Sequence, residues 1–126
     1  MNYTEEILSD KKLIIVRMTG DYDAKLMDKL AIKFRKQAMD IGYCLICDIS
    51  NGHNKITLND GLKALKKYDK PEYKELKKVP VSVVARGPQY IFFKVVEQFL
   101  SNVGGDFKVF KEMDTAINWF SKRSHK

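Results

Sequence analysis

The stretch from Tyr43 to Leu65 constrains the fold more than any other part of the chain. An apolar run over residues 43–47 ends in Asp48-Ile49-Ser50, and a polar loop over residues 51–55 separates it from a helical pattern that begins near Thr57. A short apolar run bounded by turn residues and followed by a helix is typical of a buried strand in a βαβ unit. Ligands and partners of such units meet the protein at the carboxyl ends of the strands. We therefore expect the functional surface to include this loop, with Asp48 and Ser50 as candidate site residues.

The rest of the chain alternates strand and helix patterns in the same way. The further predicted elements are a hairpin of strands at 3–8 and 12–19 that Gly20 ends, a helix from the N-cap Asp23 to the stop at Gly42, a helix near 57–68 with a short helix or loop at 70–78, a strand at 80–85, a helix from Pro88 to about Val103, a strand at Phe107–Phe110, and a last helix capped by Asp114. This order, ββαβαβαβα, predicts an α/β fold with a mixed, mostly parallel five-stranded sheet and about four helices. We expect residues 1–126 to form one domain.

The helix that begins at Pro88 carries more apolar residues than one face can bury. Its predicted inward stripe consists of Phe92, Val95, Val96, Phe99, Leu100 and Val103. Tyr90 and Phe93 then project from another side of the helix. If they are exposed together, they mark a partner or ligand surface; if a neighbouring element covers them, they belong to the core.

The composition is that of a globular, basic protein. Of its 126 residues, 44% are hydrophobic and 31% are charged, a balance that argues against intrinsic disorder. No apolar run approaches the ~20 residues of a membrane span and the first residues do not resemble a signal peptide, so we expect a cytoplasmic protein without a transmembrane segment.

Much of the net charge of +7 comes from the segment 63–78, which holds seven lysines against three carboxylates. We interpret this segment as a solvated face that keeps the protein soluble, with binding to nucleic acid or anionic lipid as the alternative. Nucleic acid is not the expected partner, because the chain lacks an aromatic strand platform and a recognisable recognition helix.

The two cysteines, Cys44 and Cys47, form a C-x-x-C motif. Residues three apart on a strand point to opposite faces, so these two sulfur atoms should not meet. A redox pair is expected at the start of a helix instead, and a zinc site would need further ligands. We predict two reduced, structural cysteines and no metal site. The chain also lacks a glycine-rich phosphate-binding loop, so we do not expect a cofactor.

Catalysis is not expected from the residues around the loop. Asp48, Ser50 and His53 lie close in sequence, but no G-x-S-x-G elbow surrounds the serine. A loop histidine is more often solvated than catalytic, and an aspartate in a turn commonly accepts hydrogen bonds from backbone N–H groups. We therefore predict a protein that is not an enzyme.

Two segments, together with the order of elements, give the chain a resemblance to a known family. One is Leu45-Ile46-Cys47-Asp48-Ile49-Ser50, and the other is Phe107-Lys108-Val109-Phe110 followed by Ala116-Ile117-Asn118-Trp119-Phe120. The chain resembles STAS-type domains, the fold of bacterial anti-sigma factor antagonists, and is most similar to their SpoIIAA-like branch. The resemblance covers nearly the whole chain.

This resemblance implies a non-enzymatic regulatory module that binds another protein through the strand ends and the second helix. In the antagonists, a phosphorylated serine precedes a glycine at the start of that helix. Here the matching run is Asn59-Asp60-Gly61-Leu62, so Asp60 occupies the acceptor position before Gly61. A serine kinase cannot phosphorylate a carboxylate, so the usual phospho-switch is not expected; Ser50 and Thr57 are the candidates for a substitute acceptor.

The alternative function is binding of a small apolar or anionic ligand, such as a lipid, in a pocket between the third helix and the sheet. The residues named for either function are Asp48, Ser50, Thr57, Asp60, Gly61, Tyr90 and Phe93. The sequence does not predict an oligomeric state.

Overall fold

A computed structural model describes residues 1–123 and contains a five-stranded sheet with four α-helices. The strands are β1 (Asn2–Leu8), β2 (Leu13–Tyr22), β3 (Cys44–Asn54), β4 (Val81–Val84) and β5 (Phe107–Phe110), and the helices are α1 (Ala24–Ile41), α2 (Leu58–Leu65), α3 (Pro88–Asn102) and α4 (Met113–Arg123). β1 pairs antiparallel with β2, and the other neighbours pair parallel. The predicted fold class and element order are confirmed; the last three residues of the predicted domain lie outside the described part.

The strands lie in the sheet in chain order, β1-β2-β3-β4-β5. Crossovers between parallel strands are right-handed, so connections that always step in the same direction place their helices on the same face. α1, α2 and α3 accordingly cover one face and share its larger core, to which α1 contributes Phe34 and α3 contributes Leu100. α4 follows the last strand and covers the opposite face, where Phe120 packs with Leu13 and Ile46. The sequential order also means that no reversal of strand order opens a crevice at the strand ends.

The ends of α1 follow the sequence signals. The Asp23 carboxylate accepts a hydrogen bond from the backbone N–H of Leu26 at 2.9 Å, which satisfies one of the free donors of the first turn. Gly42 ends the helix in the left-handed conformation at φ 72°, as glycine does most readily. Leu30 and Phe34 lie on the buried side of the helix.

Two predicted boundaries at the strand ends are wrong. β2 does not stop at Gly20 but continues to Tyr22, and β3 continues to Asn54 through most of the predicted polar loop at 51–55. The two strands continue side by side, with Gly20 opposite Gly52 in the parallel register. A Cβ atom on Gly52 would lie 3.0 Å from Cε1 of Tyr22, so the missing side chain lets the strand pass the tyrosine ring. Backbone pairing with a neighbour here outweighs low strand propensity.

The helical predictions need three smaller corrections. α2 ends at Leu65, and 3₁₀-helical turns at Lys66–Asp69, Pro71–Tyr73 and Leu76–Lys78 lead to β4. α4 begins at Met113, so Asp114 lies in its first turn and is not its cap. In α3, Phe93, Val96 and Leu100 form the buried stripe, whereas Val95 is 39% exposed and not inward. Because α3 is apolar on several sides, its periodicity alone could not select the buried side.

Candidate functional site

The carboxyl ends of β2 and β3, with the opening turns of α2 and α3, form one edge of the molecule, which we call the crest. The register between β2 and β3 shifts here, from Arg17 opposite Asp48 to Thr19 opposite Asn51. Two residues of β3 therefore face one of β2, which is a β-bulge. Asp48 Oδ1 accepts hydrogen bonds from the backbone N–H of Ser50 at 3.0 Å and from its hydroxyl at 2.6 Å. The carboxylate thus satisfies bulge donors, in the turn role predicted for it.

A glutamine at the start of α3 ties the crest together. Gln89 Oε1 accepts a hydrogen bond from the hydroxyl of Tyr22, and its Nε2 donates to the carbonyl oxygens of Gly52 at 3.1 Å and Ile49 at 3.4 Å. Burial raises the pKa of Tyr22 well above its ordinary value, so the phenol is a neutral donor. Sequence reasoning missed both Tyr22 and Gln89, because they are 67 residues apart and belong to no local motif.

The first turn of α2 presents two of the predicted site residues to solvent and buries the third. Thr57 is the N-cap, and its hydroxyl oxygen accepts a hydrogen bond from the backbone N–H of Asp60 at 3.2 Å. Both residues are exposed, whereas Gly61 is buried. A Cβ atom on Gly61 would lie 3.2 Å from Cζ of Phe92 and 3.3 Å from Cγ2 of Ile56. The glycine therefore sets how closely α2 approaches α3.

The structure separates Tyr90 from Phe93. Tyr90 is half-buried, and the ammonium groups of Lys111 and Lys94 lie 4.8 Å and 5.8 Å from the centre of its ring. Phe93 is only 5% exposed and belongs to the core, so the two rings do not form a shared exposed surface. The large apolar residues that are exposed on α2 and α3 are instead Leu58 at 46%, Ile91 at 69% and Val95. α3 packs on α2 through Phe92 and Gly61.

Asp48, Ser50 and His53 do not form the chain of hydrogen bonds that a catalytic triad requires. His53 Nδ1 lies 3.5 Å from Asp21 Oδ1 in an exposed pair, and the Ser50 hydroxyl donates to Asp48. Within residues 1–123, no group of three or more histidine, cysteine, aspartate or glutamate side chains is arranged to hold a metal ion.

The cysteines lie on opposite faces of the sheet, as predicted. Cys47 belongs to the larger core and Cys44 packs against the smaller one, and both are free thiols. Burial raises the pKa of Cys47 to about 12, although the positive charge of Arg35 acts in the opposite direction. Burial also raises the pKa of Cys44.

A cavity of about 90 Å³ lies between α1, α2 and α3 and the sheet beneath them. Its lining is mostly apolar and consists of Ala24, Met27, Asp28, Ala31, Arg35, Leu45, Cys47, Ile49, Ile56, Gly61, Ala64, Leu65, Tyr68, Val81, Val83, Phe92, Phe93, Val96, Leu100 and Phe107. The predicted site residues Gly61 and Phe93 thus belong to the cavity wall, and Asp48, Ser50, Thr57, Asp60 and Tyr90 do not. The charged residues in the cavity wall are Arg35 and Asp28, and no sequence motif pointed to either residue.

No helix within residues 1–123 is both long and apolar enough to cross a bilayer.

No protein-family model and no curated protein sequence matches the chain. Among solved structures, it is similar to an uncharacterised DUF3478-family protein with a SpoIIAA-like fold from Shewanella loihica PV-4, with a TM-score of 0.56 and 21% identity over 94% of this chain and 92% of that one. It is also similar to the anti-sigma factor antagonist SpoIIAA in its unphosphorylated form, with a TM-score of 0.54 and 13% identity over 93% of this chain and 96% of that one. The chain has the STAS-like, SpoIIAA-like fold.

Proposed function

We propose that this protein is a non-enzymatic regulatory module that binds another protein at the crest and on the adjoining surface of α2 and α3. The observation that supports this most is the exposure of Leu58, Ile91 and Val95 on two helices that pack against each other. Ile91 and Val95 lie one turn apart on α3, and exposed apolar side chains that adjoin one another are typical of interaction surfaces. Structural similarity to an anti-sigma factor antagonist, a protein named for its action on another protein, favours a protein as the partner.

Asp60 supplies this surface with a fixed negative charge. It lies in the first turn of α2, where the free N–H groups and the helix dipole favour an anion. Its carboxylate has roughly half the charge of a phosphate group. We therefore propose that partner binding at this turn does not depend on phosphorylation. The hydroxyls of Thr57 and Ser50, the two substitute acceptors, already serve the helix cap and the bulge.

Partner capture followed by affinity measurement tests this proposal. The tagged protein is used to isolate a partner, and the dissociation constant is then compared for wild type, Asp60→Ala, Ile91→Ser and Met39→Ser. Met39 is the matched control, because it is an exposed apolar residue in the last turn of α1, whereas the crest lies where β2 ends and α1 begins. We expect Asp60→Ala and Ile91→Ser each to weaken binding about tenfold, or ~1.4 kcal/mol, and Met39→Ser to leave it unchanged. Loss of binding in Met39→Ser alone would place the interface elsewhere.

A second candidate function is the binding of a small ligand, and the cavity favours it. The cavity lies beside the third helix, is lined by apolar side chains, and holds the buried arginine Arg35 in its wall. Sites for small molecules are commonly apolar cavities with a few polar groups that orient the ligand. Native mass spectrometry of the purified protein tests for a co-purifying small molecule, and a bare chain that nevertheless binds a protein would favour the docking function.

A further inference from the structure

Arg35 is buried although it lies on a helix whose other basic residues face outward. It is 4% exposed, on the side of α1 that faces the sheet. Its Nη1 donates a hydrogen bond to the hydroxyl of Tyr68 at 2.9 Å, and its Cζ lies 5.0 Å from the centre of the Tyr68 ring. Its Nε is buried and has no hydrogen-bond partner within the described residues. Nε is thus a buried donor of the guanidinium that no group in the described residues satisfies.

No carboxylate in residues 1–123 forms an ion pair with Arg35. Asp28, the acidic residue of the cavity wall, is instead paired with the ammonium group of Lys67. Burying a cation without a counter-charge is strongly unfavourable. The cavity wall therefore carries an uncompensated positive charge at Arg35.

The remainder of the cavity fits an apolar group. Cys47, Val83 and Phe93 are among its wall residues, and the neutral Cys47 thiol supplies no charge that could pair with Arg35. The volume of about 90 Å³ is smaller than that of an engineered apolar cavity of ~150 Å³ that binds benzene. A ligand that fits must therefore be small, with one end that matches a guanidinium and another that avoids water.

We propose that this cavity binds a small apolar monocarboxylate of about three to four carbon atoms, with the carboxylate on Arg35 and the hydrocarbon tail against Val83 and Phe93. This assignment rests on the ligand-binding candidate function. Arginine and carboxylate are matched in geometry and form strong, charge-assisted hydrogen bonds. A monoanion balances the single charge of Arg35, whereas a phosphate dianion would bring an unpaired negative charge into the apolar cavity.

Calorimetry and thermal unfolding of the full chain with added propionate and butyrate test the proposal. Butyramide serves as the uncharged control for butyrate. The variants are Arg35→Met, which keeps a long apolar side chain, and Arg17→Met, the control at an exposed arginine paired with Glu6 on β1. We expect butyrate to bind wild type and Arg17→Met and to raise their melting temperatures, and Arg35→Met to bind it about tenfold or more weakly. Butyramide should bind all three proteins weakly.

We expect Arg35→Met to fold, because removing a buried charge without a counter-charge offsets the loss of the hydrogen bond to the Tyr68 hydroxyl. If it does not fold, nuclear Overhauser effects between the butyrate methyl group and the rings of Phe92 or Phe93 in wild type decide the location of the ligand. The proposal is wrong if neither carboxylate binds, as expected if trapped water satisfies Arg35, or if Arg35→Met binds butyrate as tightly as wild type. Equal binding of butyrate and butyramide would retain a ligand-binding cavity but overturn the role of Arg35.

Discussion

At the scale of single residues, buried and half-buried polar groups differ in how their hydrogen-bonding capacity is satisfied. Asp48 accepts two hydrogen bonds from Ser50, a neighbour in the chain, and its role could be predicted from the sequence because aspartate commonly does this in turns. The partner of Arg35 is Tyr68, which is 33 residues away. A basic residue in a helix rich in lysine is normally solvated. The burial of Arg35 therefore could not be predicted without knowing what packs against α1.

A first prediction at this scale concerns the thiols. Burial raises the pKa of Cys47 to about 12, so at pH 8 the native thiol is protonated and unreactive. We expect slow labelling by a thiol reagent in native protein and fast labelling once denaturant unfolds it. The single variants Cys44→Ala and Cys47→Ala assign the rates, and Cys44, which is less buried, should react first. Rapid labelling of both thiols in native protein would contradict the prediction.

The same shift in pKa has a consequence for stability. The unfolded thiol, with an ordinary pKa near ~8.5, loses its proton at a lower pH than the native Cys47 does. The unfolded state is therefore favoured increasingly as the pH rises from ~8.5 towards the native pKa of about 12. Across this range, the free energy of unfolding should fall more steeply for wild type than for Cys47→Ala. Parallel curves for the two proteins would show that Cys47 does not contribute.

At the scale of elements, α2 is a short helix that depends on its ends. It has eight residues, and isolated helices of this length are unstable in water. The sequence run Thr57-x-x-Asp60 predicts a capping box, but only its threonine half is formed, since the Asp60 carboxylate makes no side-chain hydrogen bond within the described residues. The cap and the close approach of α3 at Gly61 therefore add to the packing of Leu65 on the core in stabilising α2.

This arrangement predicts an order of stability among variants of α2. Thr57→Ala removes the cap and should lower the free energy of unfolding by ~1 kcal/mol. Asp60→Ala removes only a favourable interaction of an exposed charge with the helix dipole and should cost about 0.3–1 kcal/mol. Asn59→Ala, at an exposed neighbouring position, is the control. Denaturant titration measures all three, and a larger loss for Asp60→Ala than for Thr57→Ala would mean that the carboxylate is the main cap.

At the scale of the whole molecule, the lysine-rich segment 63–78 is spread over α2 and the 3₁₀-helical turns that follow it. Lys66, Lys70 and Lys74 are exposed, whereas Lys67 is half-buried and paired with Asp28 beside the cavity. Of these four lysines, three are solvated and Lys67 makes a structural contact. Charge reversal at Lys67 would place two carboxylates together, so it is not equivalent to reversal at the exposed positions.

We predict that reversing Lys66, Lys70 and Lys74 together to glutamate leaves the fold and partner binding at the crest unchanged. Exposed charges away from special contacts usually change stability by no more than ~0.5 kcal/mol each. Lys67→Glu alone should lower the denaturation midpoint, which provides the contrast. Binding to single-stranded nucleic acid or anionic vesicles that the triple variant abolishes, and that falls steeply with salt in wild type, would show that the segment binds polyanions.

The sequence by itself determined the element order, the mixed sheet and the opposite orientation of Cys44 and Cys47, because apolar periodicity and turn residues act over a few positions. It could not determine which side of α3 is buried, since Phe93 and Val95 are equally apolar and only packing on the sheet distinguishes them. The extension of β3 to Asn54 likewise required its pairing with β2. The cavity and its unpaired arginine arise from three helices that meet over the sheet. Contacts between residues far apart in the chain decide these features, and no local pattern encodes them.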